Sequence, residues 1–152
     1  MARWAQGRVR GWRVMVATGM SMLLLAAYGV APVQGGVPPK SVWEGIYTDA
    51  QAERGKASYE QQCSFCHLSD LSGQGFAPPL VDDAFTQRWT DGNVGDLFTI
   101  VKVTMPQDKP QSLKDVEYAD IVAHILKSNK FPAGAQELPA DPAALKDVSF
   151  KK

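Results

Sequence analysis

The stretch CSFCHLSD, residues 63–70, contains both cysteines of the 152-residue chain and one of its two histidines. Cys63, Cys66 and His67 form a C-x-x-C-H pattern, which is the motif of covalent c-type haem attachment. Two cysteines three positions apart at a helix end project to one side, so each thiol can add to a vinyl group of the same porphyrin. The histidine that follows turns its imidazole towards the iron. The motif therefore predicts one covalently bound haem.

Other interpretations of the two thiols explain less of the pattern. A plain disulfide or a thioredoxin-like dithiol would leave His67 without a role, and the dithiol would need a surrounding βαβ pattern that the sequence lacks. A zinc site needs four ligands, and only His124 remains to complete one. Haem attachment is therefore the favoured interpretation.

The first 36 residues have the composition of an export signal. Four arginines precede an apolar run over residues 14–30, small residues follow at Gly35 and Gly36, and the segment has no acidic residue. We expect Sec-type export to the periplasm and cleavage near Gly35, because no Arg-Arg pair marks the alternative route. A retained segment would be a membrane helix of about 17 apolar residues interrupted by glycines, which is a marginal span.

Loss of this signal would leave a mildly acidic domain, residues 37–152. The chain has 16 basic and 16 acidic residues, and the four arginines before Val37 would be removed, leaving 12 basic residues against 16 acidic ones. A basic surface for nucleic acid is therefore excluded. Met105 is the only methionine of this domain, and His67 and His124 are its only histidines.

Hydrophobic periodicity and capping residues predict an all-α domain. The predicted helices cover residues 48–62, 82–89, 93–103 and 112–128. Thr48 and Gln51 form a capping box for the first helix, and Ser112 is expected to cap the last. The residues expected to face inward are Ala52, Gly55, Tyr59, Leu97, Ile100, Val101, Tyr118, Ile121, Val122 and Ile125.

The segments outside the helices contain their own apolar residues. Residues 37–48 are predicted to be an N-terminal strap, and residues 130–152 an extended tail on the surface. Their apolar residues are Val42, Trp43, Ile46 and Tyr47 in the strap, and Leu145, Val148 and Phe150 in the tail. A loop rich in glycine and proline, residues 73–79, has no helical pattern and suggests wrapping around a bound group.

Residues 48–129 resemble the class I cytochromes c. The matching features are Cys63, Cys66 and His67, the Pro78-Pro79-Leu80 sequence, Met105 followed by Pro106, and flanking helices with Gly55, Tyr59 and Tyr118. The resemblance implies a small all-α fold of three to five helices around one haem c. Two further segments are similar to small cytochromes that accompany quinoprotein dehydrogenases. They are VWEGIYTDAQAERG, residues 42–55, which begins in the strap, and FPAGAQELP, residues 131–139, in the tail.

The resemblance implies roles for two further residues. It assigns Met105 as the sixth iron ligand opposite His67, whereas a lone methionine is otherwise core filler. It assigns the Pro78 carbonyl as the acceptor for the other ring nitrogen of His67, although Pro78 would otherwise be an ordinary loop proline.

Three more residues near the predicted haem are ambiguous. Arg88 and Trp89 are candidate donors to the haem propionates, but Arg88 could be only a solvated side chain and Trp89 only a core residue. His124 is expected on the polar side of the last helix as a partly solvated structural histidine. Gly55 should let the first helix approach the last one closely, against Tyr118 and Ile121.

These features predict a periplasmic monohaem electron carrier that is not itself an enzyme. Two protein ligands would leave no open position at the iron, and the family's role implies redox partner proteins. The expected donor is an exported dehydrogenase, for example a quinoprotein, and the expected acceptor is a terminal oxidase or another cytochrome. The alternatives are a haem enzyme or gas sensor with an open sixth position, and a haem subunit bound in a dehydrogenase complex.

Overall fold

The computed structural model describes residues 39–152, so the predicted export signal and its cleavage site lie outside the described part. A 3-10 turn, Val42–Glu44, precedes five α-helices: α1 Asp49–Gln62, α2 Ser64–His67, α3 Asp82–Trp89, α4 Val94–Thr104 and α5 Asp115–Ser128. Within this range β-pairing is limited to isolated bridges of Ser149 with Ser41 and with Asn93. The all-α prediction is confirmed. None of the helices in residues 39–152 has the length and apolar character needed to cross a membrane.

The ends of α1 and α4 follow from their capping residues. Thr48 Oγ1 accepts a hydrogen bond from the Gln51 N–H at 3.1 Å, and Asn93 Oδ1 accepts one from the Asp96 N–H at 2.8 Å. The Gln51 side chain does not complete the capping box but instead bonds both the N–H and the carbonyl of Leu138, at 2.6 and 3.0 Å. The first predicted helix therefore has the right bounds, and Gln51 attaches the tail to it.

The predicted cap of α5 is wrong. The helix begins at Asp115 rather than after Ser112, and the backbone N–H of Lys114 donates to the Glu117 carboxylate at 3.0 Å. Because an acidic side chain at the third helical position satisfies the N–H group of the cap residue, the helix start does not need a serine hydroxyl.

Helices α1 and α5 cross at Gly55. A Cβ atom added there would lie 1.7 Å from the Asp120 carbonyl oxygen and 3.0 Å from the Ile121 nitrogen. The predicted close approach is present, but Gly55 meets the backbone of Asp120 and Ile121. Around this crossing the core contains Ala52, Tyr59, Tyr118, Ile121, Val122 and Ile125, all fully buried.

The C-terminal tail is less extended than predicted. Residues 142–147 form turns, and Leu145 and Val148 are buried. The carbonyls of these two residues accept hydrogen bonds from Gly95 and Val94, at 3.1 and 2.9 Å. Because the first N–H groups of a helix have no partner within it, the tail turns here to cap α4.

The strap lies beside the end of the tail. Val42, Ile46 and Tyr47 are buried as expected, whereas Trp43 is partly exposed. The Val42 N–H donates to the Ser149 carbonyl at 3.0 Å, and Tyr47 Oη donates to the Phe131 carbonyl at 2.6 Å. Strap and tail thus close the side of the domain next to α3 and α4.

Candidate functional site

A cavity of about 770 Å³ lies among α1, α2, α3, α4, α5 and the loop before α3. All seven predicted site residues line it: Cys63, Cys66, His67, Pro78, Arg88, Trp89 and Met105. Most of the remaining wall is apolar and includes Leu80, Phe85, Leu97, Ile100, Val101, Ile121 and Ile125. A cavity of this volume with apolar walls and a few polar groups is typical of a cofactor site.

The C-x-x-C-H segment begins where α1 ends, continues as α2, and forms part of the cavity wall. Cys63 ends α1, where its N–H donates to the Tyr59 carbonyl at 2.8 Å, and the single turn of α2 follows. The N–H groups of Cys66 and His67 both donate to the Cys63 carbonyl, at 3.1 and 2.9 Å. This turn places two thiols and one imidazole on the wall of the same cavity, which is the donor set that covalent haem attachment requires.

The Cys63 thiol does not have the electrostatics of a reactive redox cysteine. Both cysteines are free, and burial of Cys63, with a smaller contribution from Cys66, raises the pKa of the Cys63 thiol to about 11. Reactive cysteines of the thioredoxin type have a lowered pKa. Residues 39–152 also contain no group of three His, Cys, Asp or Glu side chains that could hold a metal ion. The dithiol and zinc hypotheses therefore gain no support.

The imidazole of His67 is fixed in one tautomer. The ring is 7% exposed, and Nδ1 lies 3.0 Å from the Pro78 carbonyl oxygen. A carbonyl can only accept, so Nδ1 carries the proton and Nε2 is left as the free lone pair. This hydrogen bond, expected from the resemblance, is the arrangement that orients a metal-binding histidine.

The loop that carries Pro78 is anchored at both ends. The Gly73 N–H donates to the His67 carbonyl at 3.0 Å, and the Leu80 N–H donates to the Leu71 carbonyl at 2.8 Å. Asn129 Nδ2 donates to the Leu80 carbonyl at 2.8 Å. The sequence indicated Asn129 only as a helix end. Its two side-chain N–H donors were the one available signal of a second role.

Met105 reaches the cavity from the end of α4. Its N–H donates to the Val101 carbonyl at 3.0 Å, and its own carbonyl accepts a hydrogen bond from Tyr118 Oη at 2.9 Å. Tyr118 was predicted only as a buried residue of the last helix. The structure makes it the residue that holds the backbone of Met105 in place.

The predicted propionate donors, Arg88 and Trp89, are the last two residues of α3 and line the cavity. Trp89 is largely buried, with its ring 6.4 Å from Phe85 and 5.9 Å from Phe150, while Arg88 is exposed. Ile100 was expected to face inward but is 42% exposed. Ile100 lines the cavity, so the predicted inward orientation is confirmed, although the side chain does not pack into the apolar core.

The expected solvation of His124 on the polar side of α5 is wrong. Its side chain is 9% exposed, and its ring lies 5.2 Å from that of Tyr59 between α1 and α5. Asp120 on the same side of the helix is equally buried because Arg54 pairs with it at 3.0 Å. A polar side chain therefore does not mark the solvated face of α5. His124 does not line the large cavity.

The family model described as cytochrome c oxidase, cbb3-type, subunit III matches residues 50–125, half of the chain. The chain belongs to this family. It is a monohaem class I c-type cytochrome that binds haem c covalently and takes part in electron transfer. The matched residues include the C-x-x-C-H segment and Met105.

No curated protein matches this cytochrome. The crystal structure of the sulfane dehydrogenase SoxCD from Paracoccus pantotrophus is similar to it, with 21% sequence identity and a TM-score of 0.45. The similarity covers 59% of the cytochrome and 45% of the SoxCD chain, so the cytochrome spans less than half the length of that chain.

Proposed function

We propose that this cytochrome is an exported one-electron carrier, not an enzyme, in which His67 and Met105 would bind the haem iron. Cys63 and Cys66 are the covalent tethers of the haem. The observation that carries the proposal is the composition of one cavity wall: two thiols, an imidazole whose only free nitrogen is Nε2, and the single methionine of the domain.

Bound haem supplies reversible one-electron chemistry at its iron. The residues of this chain would adapt it to electron transfer. Binding of the iron by both His67 and Met105 would leave no position for a substrate, and the thioether of Met105 would raise the reduction potential. The Pro78 carbonyl increases the basicity of His67, and the apolar wall excludes water from the site.

Export to the periplasm is supported by the first 36 residues. Four arginines, a following apolar run and small residues near Gly35 have the order of a signal segment. Covalent haem attachment outside the cytoplasm agrees with this destination.

Contact with partner proteins would take place at the mouth of the cavity. Phe65 is 89% exposed, Phe76 is fully exposed, and both line the cavity. A small apolar surface of this kind suits brief complexes between monomeric carriers and their partners. The proposed donor is an exported dehydrogenase, for which the strap and tail favour a quinoprotein. The proposed acceptor is a terminal oxidase or another cytochrome.

A second candidate is a haem subunit held permanently in a larger enzyme complex. The family name, which describes an oxidase subunit, favours this alternative. A haem enzyme or gas sensor is less well supported, because Met105 lies in the cavity wall with its backbone held by Tyr118.

The test uses the haem-loaded chain produced in a bacterium with its native N-terminus. We expect the protein in the periplasmic fraction, at the size of a monomer, with a reversible spectroelectrochemical titration that fits one electron. Stable co-purification with a larger enzyme would favour the subunit instead. Turnover of peroxide by the purified protein at enzymatic rates would contradict the carrier function.

A further inference from the structure

His124 is a buried histidine that the haem site does not use. It lies in the interface between α1 and α5, 91% buried, with its ring against Tyr59. Its Nε2 atom is inaccessible to solvent and has no hydrogen-bond partner. In most proteins a buried polar atom has a partner, so an exception of this kind calls for an explanation.

The energetic cost of burying Nε2 without a hydrogen-bond partner depends on the charge state of His124. A neutral imidazole needs only one N–H group, so Nε2 can remain a bare lone pair. An imidazolium carries an N–H on both nitrogens, and the one on Nε2 would then be buried without an acceptor. The interface therefore accommodates the neutral ring and disfavours the protonated one.

Charged groups of both signs surround the ring. Those on the two helices are Glu53, Lys56 and Glu60 of α1 and Lys127 of α5, and the shallow surface pocket that His124 lines also contains Asp70 and Asp82. Lys127 is already paired with Asp49 and Glu53, at 2.8 and 3.0 Å. Burial is the main cause that lowers the pKa of His124 below 6.5. Lys56 adds to this, whereas Glu53 and Glu60 oppose it.

Tyr59 connects this ring to the haem site. Its hydroxyl donates to the carbonyl of Leu68 at 2.8 Å, and Leu68 directly follows His67. The backbone carbonyl of Tyr59 also accepts a hydrogen bond from the N–H of Cys63, at 2.8 Å. A displacement of the Tyr59 ring would therefore act on the segment that carries His67.

We propose that His124 is a positioning residue whose neutral ring holds Tyr59, and through it the His67 segment, and that proton uptake by His124 loosens this support in acid. The effect on the α1–α5 interface is independent of the proposed function. The effect on the haem rests on His67 being an iron ligand.

The sign of the pH effect follows from the lowered pKa. In the unfolded chain the histidine binds a proton as the pH falls through about 6.5, while in the folded chain it stays neutral until lower pH. The contribution of the neutral ring to the free energy of unfolding is therefore fully present above about pH 6.5. It is lost as the pH falls from 6.5 to the pKa of the folded state.

The experiment compares urea unfolding of the haem-loaded protein between pH 8 and pH 5 with that of His124→Phe. In the wild type we expect the folding equilibrium constant to fall below pH 6.5, with a limiting slope of about tenfold per pH unit for one proton. The phenylalanine variant keeps an aromatic ring against Tyr59 and should lack this step. An equal step in both proteins would overturn the proposal.

Two further measurements test the link to His67 and the titration of His124 separately. The midpoint potential of the wild type should change over the same pH range, and it should not do so in Tyr59→Phe, which keeps the ring contact but not the bond to Leu68. A pH-independent wild-type potential would overturn the link to His67. If His124→Phe does not fold, an NMR titration of the wild-type imidazole decides: a pKa below 6.5 is expected, and one at or above 6.5 would contradict the proposal.

Discussion

Nδ1 of His67 lies 3.0 Å from the carbonyl oxygen of Pro78, across a loop whose far end is fixed to α5 by Asn129. This hydrogen bond fixes both the tautomer and the plane of the imidazole. Because Asn129, at the end of α5, holds the loop through the Leu80 carbonyl, the orientation of His67 depends on the packing of the last helix.

The Tyr118→Phe substitution should weaken the hold on Met105. It removes the hydroxyl that donates to the Met105 carbonyl at 2.9 Å, at a cost of about 1 to 2 kcal/mol in the free energy of unfolding. Because the backbone of Met105 is then freer, the far-red thioether-to-iron band of the ferric protein should disappear at a lower temperature than in the wild type.

Tyr47→Phe is the matched control for this substitution. It removes a buried hydroxyl that donates to the Phe131 carbonyl at 2.6 Å, and Tyr47 does not line the cavity. A similar loss of stability is expected, with the far-red band disappearing only when the protein unfolds. If both variants affect the band equally, Tyr118 has no special role at Met105.

The Gly55→Ala substitution should separate α1 from α5. Helix propensity alone would make alanine stabilising by about 1 kcal/mol. The added Cβ atom would instead lie 1.7 Å from the Asp120 carbonyl oxygen, so we expect a loss of about 3 kcal/mol or more in urea unfolding. The exposed Ala57→Gly on the same helix is the control and should cost about 1 kcal/mol. A stabilised Gly55→Ala protein would disprove the close crossing.

The Gln51→Leu substitution should release the tail from α1. Gln51 is buried, and its amide bonds both backbone groups of Leu138, at 2.6 and 3.0 Å. Leaving these groups without partners should cost about 2 to 4 kcal/mol and make the chain after residue 131 sensitive to proteases. As a control, Gln87→Leu, at an exposed position that does not line the cavity, should change stability by less than about 0.5 kcal/mol. Equal protease resistance of the two variants would argue against this attachment.

The features predicted correctly from the sequence are mostly local. Hydrophobic periodicity, together with the Thr48 cap of α1, predicted the bounds of α1, α3 and α4 within a residue, because these signals are local to each helix. The C-x-x-C-H spacing predicted the haem-attachment segment from an equally local signal. Its three residues do line one cavity.

The features that the sequence did not reveal depend on contacts between distant segments. The bond from Asn129 to Leu80 and that from Tyr118 to Met105 join residues that no periodicity relates. His124 was placed on the wrong face because α1 and the Arg54–Asp120 pair bury a side of α5 that contains polar residues. The turn in the tail arises because α4 needs backbone acceptors, which a tail sequence alone does not indicate.

The central claim is that His67 and Met105 both bind the iron, and carbon monoxide binding to the reduced, haem-loaded protein tests it most directly. We predict that the untreated wild type binds carbon monoxide poorly when reduced and shows the far-red thioether-to-iron band when oxidised. Met105→Ala should lose the band and bind carbon monoxide readily, because the sixth position is then open. Strong carbon monoxide binding by the wild type, or a far-red band that survives in Met105→Ala, would contradict the account.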